Sequence, residues 1–134
     1  MDKKTEELIR GYLAKAEEKL VSVKNLIADG SYDDAVSRAY YAAFHAASAL
    51  LLSEGLTADT HSGLVNLFGL HFVKSGKFDK KFGKYLSTLK ENRENGDYEV
   101  FSAIDKETAD SASVEAEAFV KEMKRYLSAL GVNF

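Results

Sequence analysis

The sequence predicts an all-α protein: an antiparallel, up-and-down bundle of four to five helices that takes up residues 1–134 as one domain. Three observations carry that prediction. Proline is absent from all 134 residues, where average usage would supply about seven, so only glycines and capping residues can stop a helix. Apolar residues recur at 4-3-4-3-4 spacing near both ends: Ile9, Leu13, Ala16, Leu20, Val23 and Ile27, then Ala112, Ala116, Phe119, Met123, Tyr126 and Leu130. That spacing is the seam of a helix lying nearly parallel to its neighbour. Between them, residues 35–53 read AVSRAYYAAFHAASALLLS, a strong helix former with no acid and one full positive charge, Arg38.

The elements follow in order. A first helix is expected over residues 2–28, ended by Asp29-Gly30, with Ser31 placed to cap the second. The second carries the alanine-rich run and ends near Glu54-Gly55. On a helical projection, Tyr40, Phe44, Ala47 and Leu51 form one stripe, and Arg38, Tyr41, Ala42, His45, Ala49 and Leu52 the opposite one. A helix apolar on both sides is a central helix, and its alanines let neighbours approach closely. Thr60 caps a third helix over residues 61–74, with Leu64, Val65, Phe68 and Phe72 inward. The fourth covers residues 79–94 with Phe82, Tyr85, Leu86 and Leu89 inward, and Asn95-Gly96 breaks it. Residues 96–102 resist a helical reading, and Asp105 opens the last helix.

Composition excludes several function classes. With no cysteine, disulfides, thiol catalysis, iron–sulfur clusters and thiolate zinc sites are ruled out, which fits a cytoplasmic protein. The opening MDKKTEELIRGYL lacks the apolar run of a signal peptide, and no apolar stretch is long enough to span a membrane. A net charge of −3 and a pI near 5.6 argue against a protein that coats nucleic acid nonspecifically. The lysines at 74, 77, 80, 81, 84 and 90 read as a solvated face. Three histidines without an HExxH or a carboxylate cluster predict no metal site, and no glycine-rich phosphate loop or nucleophile elbow suggests a cofactor. The apolar share of 46% leaves a surplus that a second copy would cover, so a homodimer is expected.

A few polar residues stand out. Arg38 and His45 share a stripe expected to be largely removed from water, where an arginine must be paired. Arg93 continues the row of Phe82, Leu86 and Leu89, so it points inward as its helix ends. It can cap carbonyls or snorkel to water, or it can build an anion- or nucleotide-binding corner with Asp97 and Tyr98 beyond the expected break. His45 and His61 each admit a structural and a functional reading, His61 through its place in a first helical turn.

The strings SYDDAVSRAYYAAFHAASALLLSEGL and THSGLVNLFGLHFVKSGKF, followed by a helix ending LKENRENGDY, resemble the HEPN domains of small archaeal and bacterial proteins over almost the whole chain. The resemblance implies a four- or five-helix bundle, usually homodimeric, often encoded beside a minimal nucleotidyltransferase as toxin and antitoxin. It also implies a metal-independent ribonuclease site in which an Arg-x4–6-His motif binds the scissile phosphate and moves protons. Arg93 matches the motif arginine, but Tyr98 follows where histidine would stand. A phenol with a pKa near 10 is a poor base at neutral pH. Arg38 and His45 fit the spacing literally, yet lie in the second helix rather than the late one. In related toxins a tyrosine near the motif accepts nucleotidyl groups, which makes Tyr98 an acceptor candidate by resemblance. Three functions stay open: a dimeric module that binds a nucleotide, RNA or a nucleotidyltransferase partner through the Arg93 corner; a ribonuclease with an altered site, in which His45 or His61 would be the acid/base; and a helical adaptor. Arg38, Tyr41, His45 and His61 are the secondary site candidates.

Overall fold

The computed structural model describes residues 1–98, 100 and 104–134. Their architecture is all-α: α1 (Lys3–Ala28), α2 (Tyr32–Ser53), α3 (His61–Phe68), α4 (Lys80–Tyr98) and α5 (Lys106–Ala129). Asp2, Thr60 and Asp105 each accept a hydrogen bond from the backbone N–H three residues on, which starts α1, α3 and α5. Ser31 makes no such bond. The turn there is fixed instead by Gly30 at φ 77°, and Ser31 N–H donates back to Leu26 C=O at 2.9 Å. None of the described helices is long and apolar enough to cross a membrane.

Helix direction is read from paired side chains. Lys24 faces Glu117 and Lys124 faces Glu17, so α1 and α5 run antiparallel. Gly96 lies against Val36, while Arg93 bonds Tyr41, so α4 runs antiparallel to α2. The result is up, down, up, down through α1, α2, α4 and α5, with α3 laid alongside. Helix α2 is the central one: Ala35, Ala39, Ala42, Ala43, Ala46, Ala47 and Ala49 are all buried. The α1 seam buries Ile9, Leu13, Ala16 and Val23, and the α5 seam buries Ala112, Ala116, Phe119 and Met123. Leu130, expected inside, is half exposed at the end of α5.

Three further expectations are corrected. The third helix is not α-helical to residue 74: after Phe68 the chain widens into a π turn, Gly69–Val73, with Lys74 N–H donating to Gly69 C=O at 2.8 Å. The fourth helix does not break at Asn95-Gly96 but runs to Tyr98. Gly96 serves close packing there, since an added Cβ would sit 3.5 Å from Val36 and 3.6 Å from Asp33. Of the segment 96–102 expected to be irregular, 96–98 are therefore helical, Val100 lies in a turn, and 99, 101 and 102 fall outside the described residues.

The third correction concerns Arg38. It is exposed and forms no ion pair or hydrogen bond among the described residues. Its stripe runs along the edge of the covered surface. Ala42 and Ala49 are buried, Tyr41, His45 and Leu52 are half-buried, and Arg38 lies outermost.

Candidate functional site

Polar side chains converge where the middle of α2, the first turn of α3 and the last turns of α4 meet. Successive helical residues diverge by about 100°, so the pair Tyr40-Tyr41 divides its work. Tyr40 turns fully into the core at 0% exposure, and Tyr41 stays half-buried. His61 is the first residue of α3, held there by the cap: Thr60 Oγ1 accepts from Gly63 N–H at 2.8 Å. A Cβ at position 63 would come within 2.9 Å of that oxygen, so the glycine of Thr-His-Ser-Gly protects the cap that places the imidazole.

Arg93 reaches the same point from α4. Its side chain is only 12% exposed, and its guanidinium carbon stands 5.3 Å from the Tyr40 ring centroid and 5.5 Å from that of Tyr41. One terminal nitrogen donates to Tyr41 Oη at 3.0 Å and makes a longer contact, 3.4 Å, with Asp97. Nε is buried and has no hydrogen-bond partner among the described residues. Beside it Lys90 pairs with Glu94. On this end of α4 the cations lie inward, Lys90 at 20% and Arg93 at 12%, and the carboxylates lie toward water, Glu94 at 42% and Asp97 at 33%.

The His61 ring packs 4.9 Å from Phe44, 5.5 Å from Tyr40 and 6.0 Å from Tyr41, between centroids. Its Nδ1 is 2.7 Å from Tyr40 Oη. Burial holds the imidazole below its ordinary pKa, and the positive charges of Arg93 and Lys90 push the same way, against a smaller pull from Glu94. Burial also raises the Tyr40 phenol well above its ordinary value, although Arg93 opposes it. The phenol is therefore protonated at any physiological pH.

The other candidates are placed as follows. Asp97 meets Arg93 as its i+4 neighbour within one helix, not by a chain reversal. Tyr98 is 76% exposed and lies about 140° around α4 from Arg93. It is not drawn into the cluster. His45 stacks on Tyr12 with ring centroids 6.1 Å apart, its Nδ1 buried without a partner among the described residues. Burial, then Lys15 and Lys19, hold its pKa down. It touches the cluster only through the Tyr41 and Phe44 rings. Tyr40 was legible in the sequence only as core. The signal for its second role was the adjacent tyrosine pair, but its partner lies 21 residues away.

The site thus offers a desolvated guanidinium, a neutral imidazole and two half-exposed rings, Tyr41 and Phe44. Beside it a groove runs between α3 and α4, lined by Ser62, Val65, Asn66, Ser87, Lys90, Glu91 and Glu94. Among the described residues no group of three or more His, Asp or Glu could hold a metal ion.

Comparison with known proteins identifies the family and the fold. The chain matches the HEPN domain family over residues 9–126. It is 38% identical to the Methanocaldococcus jannaschii protein named "Putative toxin MJ0605", over 95% of this chain and 94% of that one. It is 34% identical to a UPF0332 protein of Thermotoga maritima, over 93% and 95% respectively. The crystal structure of TT1696 from Thermus thermophilus shares the fold, with a TM-score of 0.69 at 22% identity over 86% of this chain and 97% of that one. On sequence and fold together, the chain belongs to the HEPN domain family.

Proposed function

We propose that this HEPN protein is a homodimeric nucleotide-binding module of a toxin–antitoxin pair, in which Arg93 anchors a phosphate and the second component is a nucleotidyltransferase. The observation that carries the reading is the state of Arg93: largely buried between two tyrosine rings, with Nε unpartnered and its carboxylate neighbour at the long distance of 3.4 Å. A structural arginine is expected to have its buried donors satisfied. A guanidinium held in place by aromatic rings but incompletely bonded suits an incoming phosphate oxygen. Tyr41 and Phe44 offer faces for a base, and the hydroxyls and amide of the adjoining groove suit a sugar. The toxin name of relatives covering nearly the whole chain supports the setting. The 76% exposure of Tyr98 leaves its hydroxyl open to a modifying partner.

Fluorescence anisotropy with a labelled single-stranded RNA, competed by adenosine monophosphate, tests the binding. Wild type should bind both, and Arg93→Ala should weaken both by about tenfold or more. Equal affinities, or none for either protein, would leave Arg93 structural. Light scattering at micromolar concentration tests the dimer, and a clean monomer mass would refute it.

One observation favours a second reading, a metal-independent ribonuclease. His61 brings to Arg93 the imidazole that the residue after the motif arginine does not supply. Cleavage of single-stranded RNA in the presence of chelator, abolished by Arg93→Ala and by His61→Asn alike, would establish that reading over simple binding.

A further inference from the structure

Tyr40 and His61 form a pair that the anion-binding reading does not by itself require. Tyr40 is completely buried, and His61 Nδ1 is the hydrogen-bond partner of its hydroxyl among the described residues. A neutral phenol carries one proton and can donate it once. Were Nδ1 to hold a proton and donate to Tyr40, the phenolic O–H would be left buried without an acceptor, at the cost of an unsatisfied polar group. The arrangement that satisfies both is Tyr40 O–H donating to the Nδ1 lone pair, with the imidazole proton on Nε2. Among the described residues Nε2 has no hydrogen-bond partner, and it is not among the buried unpartnered atoms.

We infer that Tyr40 is a positioning residue: its hydroxyl, 2.7 Å from His61 Nδ1, fixes the neutral Nε2–H tautomer, so that His61 presents one N–H donor to the phosphate that Arg93 anchors. The inference rests on the anion-binding reading for its purpose, but the tautomer itself does not. The groups around the imidazole act in the same direction on balance. From α2 it meets Tyr40, Tyr41 and Phe44; from α4, Arg93 and Lys90 disfavour the imidazolium and Glu94 favours it. The site therefore meets its ligand with a hydrogen-bond donor rather than a second fixed charge. That favours an oxygen acceptor on a phosphate ester over bare charge density.

The test is a side-chain nitrogen-15 correlation spectrum of the ligand-free full chain above pH 7, with the His61 signals identified by their loss in His61→Gln. The expected wild-type pattern is the Nε2–H tautomer, and in Tyr40→Phe both tautomers should appear. A wild-type His61 protonated at Nδ1, or a pattern unchanged in Tyr40→Phe, would overturn the inference whether or not any ligand binds. Should Tyr40→Phe fail to fold, inorganic phosphate decides between two further variants. Gln places an amide nitrogen near the Nε2 position and Asn near Nδ1, so His61→Gln should keep phosphate affinity while His61→Asn loses about tenfold. Equal losses would overturn the inference. If wild type binds no phosphate, the anion-binding reading fails, and the wild-type tautomer still decides this one.

Discussion

Two aromatic clusters sit in this bundle, built from the same ring types and put to different use. Around the π turn and the start of α4, Phe68, Phe72, Phe78, Phe82, Phe119 and Tyr126 pack ring on ring, with Phe68 and Phe119 5.3 Å apart and Phe78 and Tyr126 4.9 Å apart. Of those six residues only Tyr126 is titratable, and the nearby cations, Lys77 and Lys81, lie over ring faces near the surface. At the opposite end of α4, Tyr40, Tyr41 and Phe44 pack as closely, yet they hold the Arg93 guanidinium and the His61 imidazole. The first cluster converts apolar area into stability. The second spends part of its packing on holding polar groups out of water, and it leaves a buried donor unbonded. Native proteins leave few such donors unbonded.

The sharpest way to break this comparison is to remove a ring from the first cluster. Phe119→Ala should destabilise the protein by about 3–5 kcal/mol, the usual cost of emptying a fully buried aromatic position. Urea unfolding reads it directly. If the loss is under about 1 kcal/mol, the first cluster is not the stabilising one.

Acid should single out the second cluster. His61 and His45 both have folded-state pKa values below the ordinary 6.5. Between the folded value and 6.5 the unfolded chain binds more protons, so stability is fully present above pH 6.5 and is lost as pH falls through that window. The melting temperature should therefore drop on acidification, and the drop should shrink in His61→Asn. A flat profile from pH 7 to 5, or one unchanged by the substitution, would contradict the assigned burial of the imidazole.

Asp97 sharpens the picture further. On the proposed reading its carboxylate competes with a phosphate for Arg93, so Asp97→Asn should tighten nucleotide binding by a few-fold, an effect of about 1 kcal/mol or less for a partly exposed pair. Weaker binding in that variant would mean that Asp97 orients Arg93 rather than competing with ligand. The smallest effect belongs to Arg38→Ala, which should change stability by no more than about 0.5 kcal/mol because the side chain is exposed. A loss of several kcal/mol would restore the paired, buried arginine that the sequence suggests.

The contrast between these residues also shows what a sequence makes legible. The seams of α1 and α5, the Thr60 and Asp105 caps and the buried alanine faces of α2 are local or periodic features, and they can be read from residue spacing. Arg38 was misplaced because a helical projection gives an angle, not the reach of the neighbouring helices, and none covers that edge. Asn95-Gly96 was misread as a break because the glycine answers to Val36 and Asp33, sixty residues away in sequence, rather than to its own helix. The same limit hid the partnership of Tyr40 with His61. Arg93 could be singled out because it continues an apolar row, whereas what surrounds it comes from two other helices.

The account stands most directly on a calorimetric titration of adenosine monophosphate into wild type, Arg93→Ala and Tyr126→Phe, the last a variant of the apolar cluster. It predicts binding to wild type and Tyr126→Phe with equal affinity, and about tenfold or weaker binding to Arg93→Ala, whose melting temperature stays close to wild type. Equal binding by all three, or binding by none, would contradict the claim that the second cluster is built to receive a ligand.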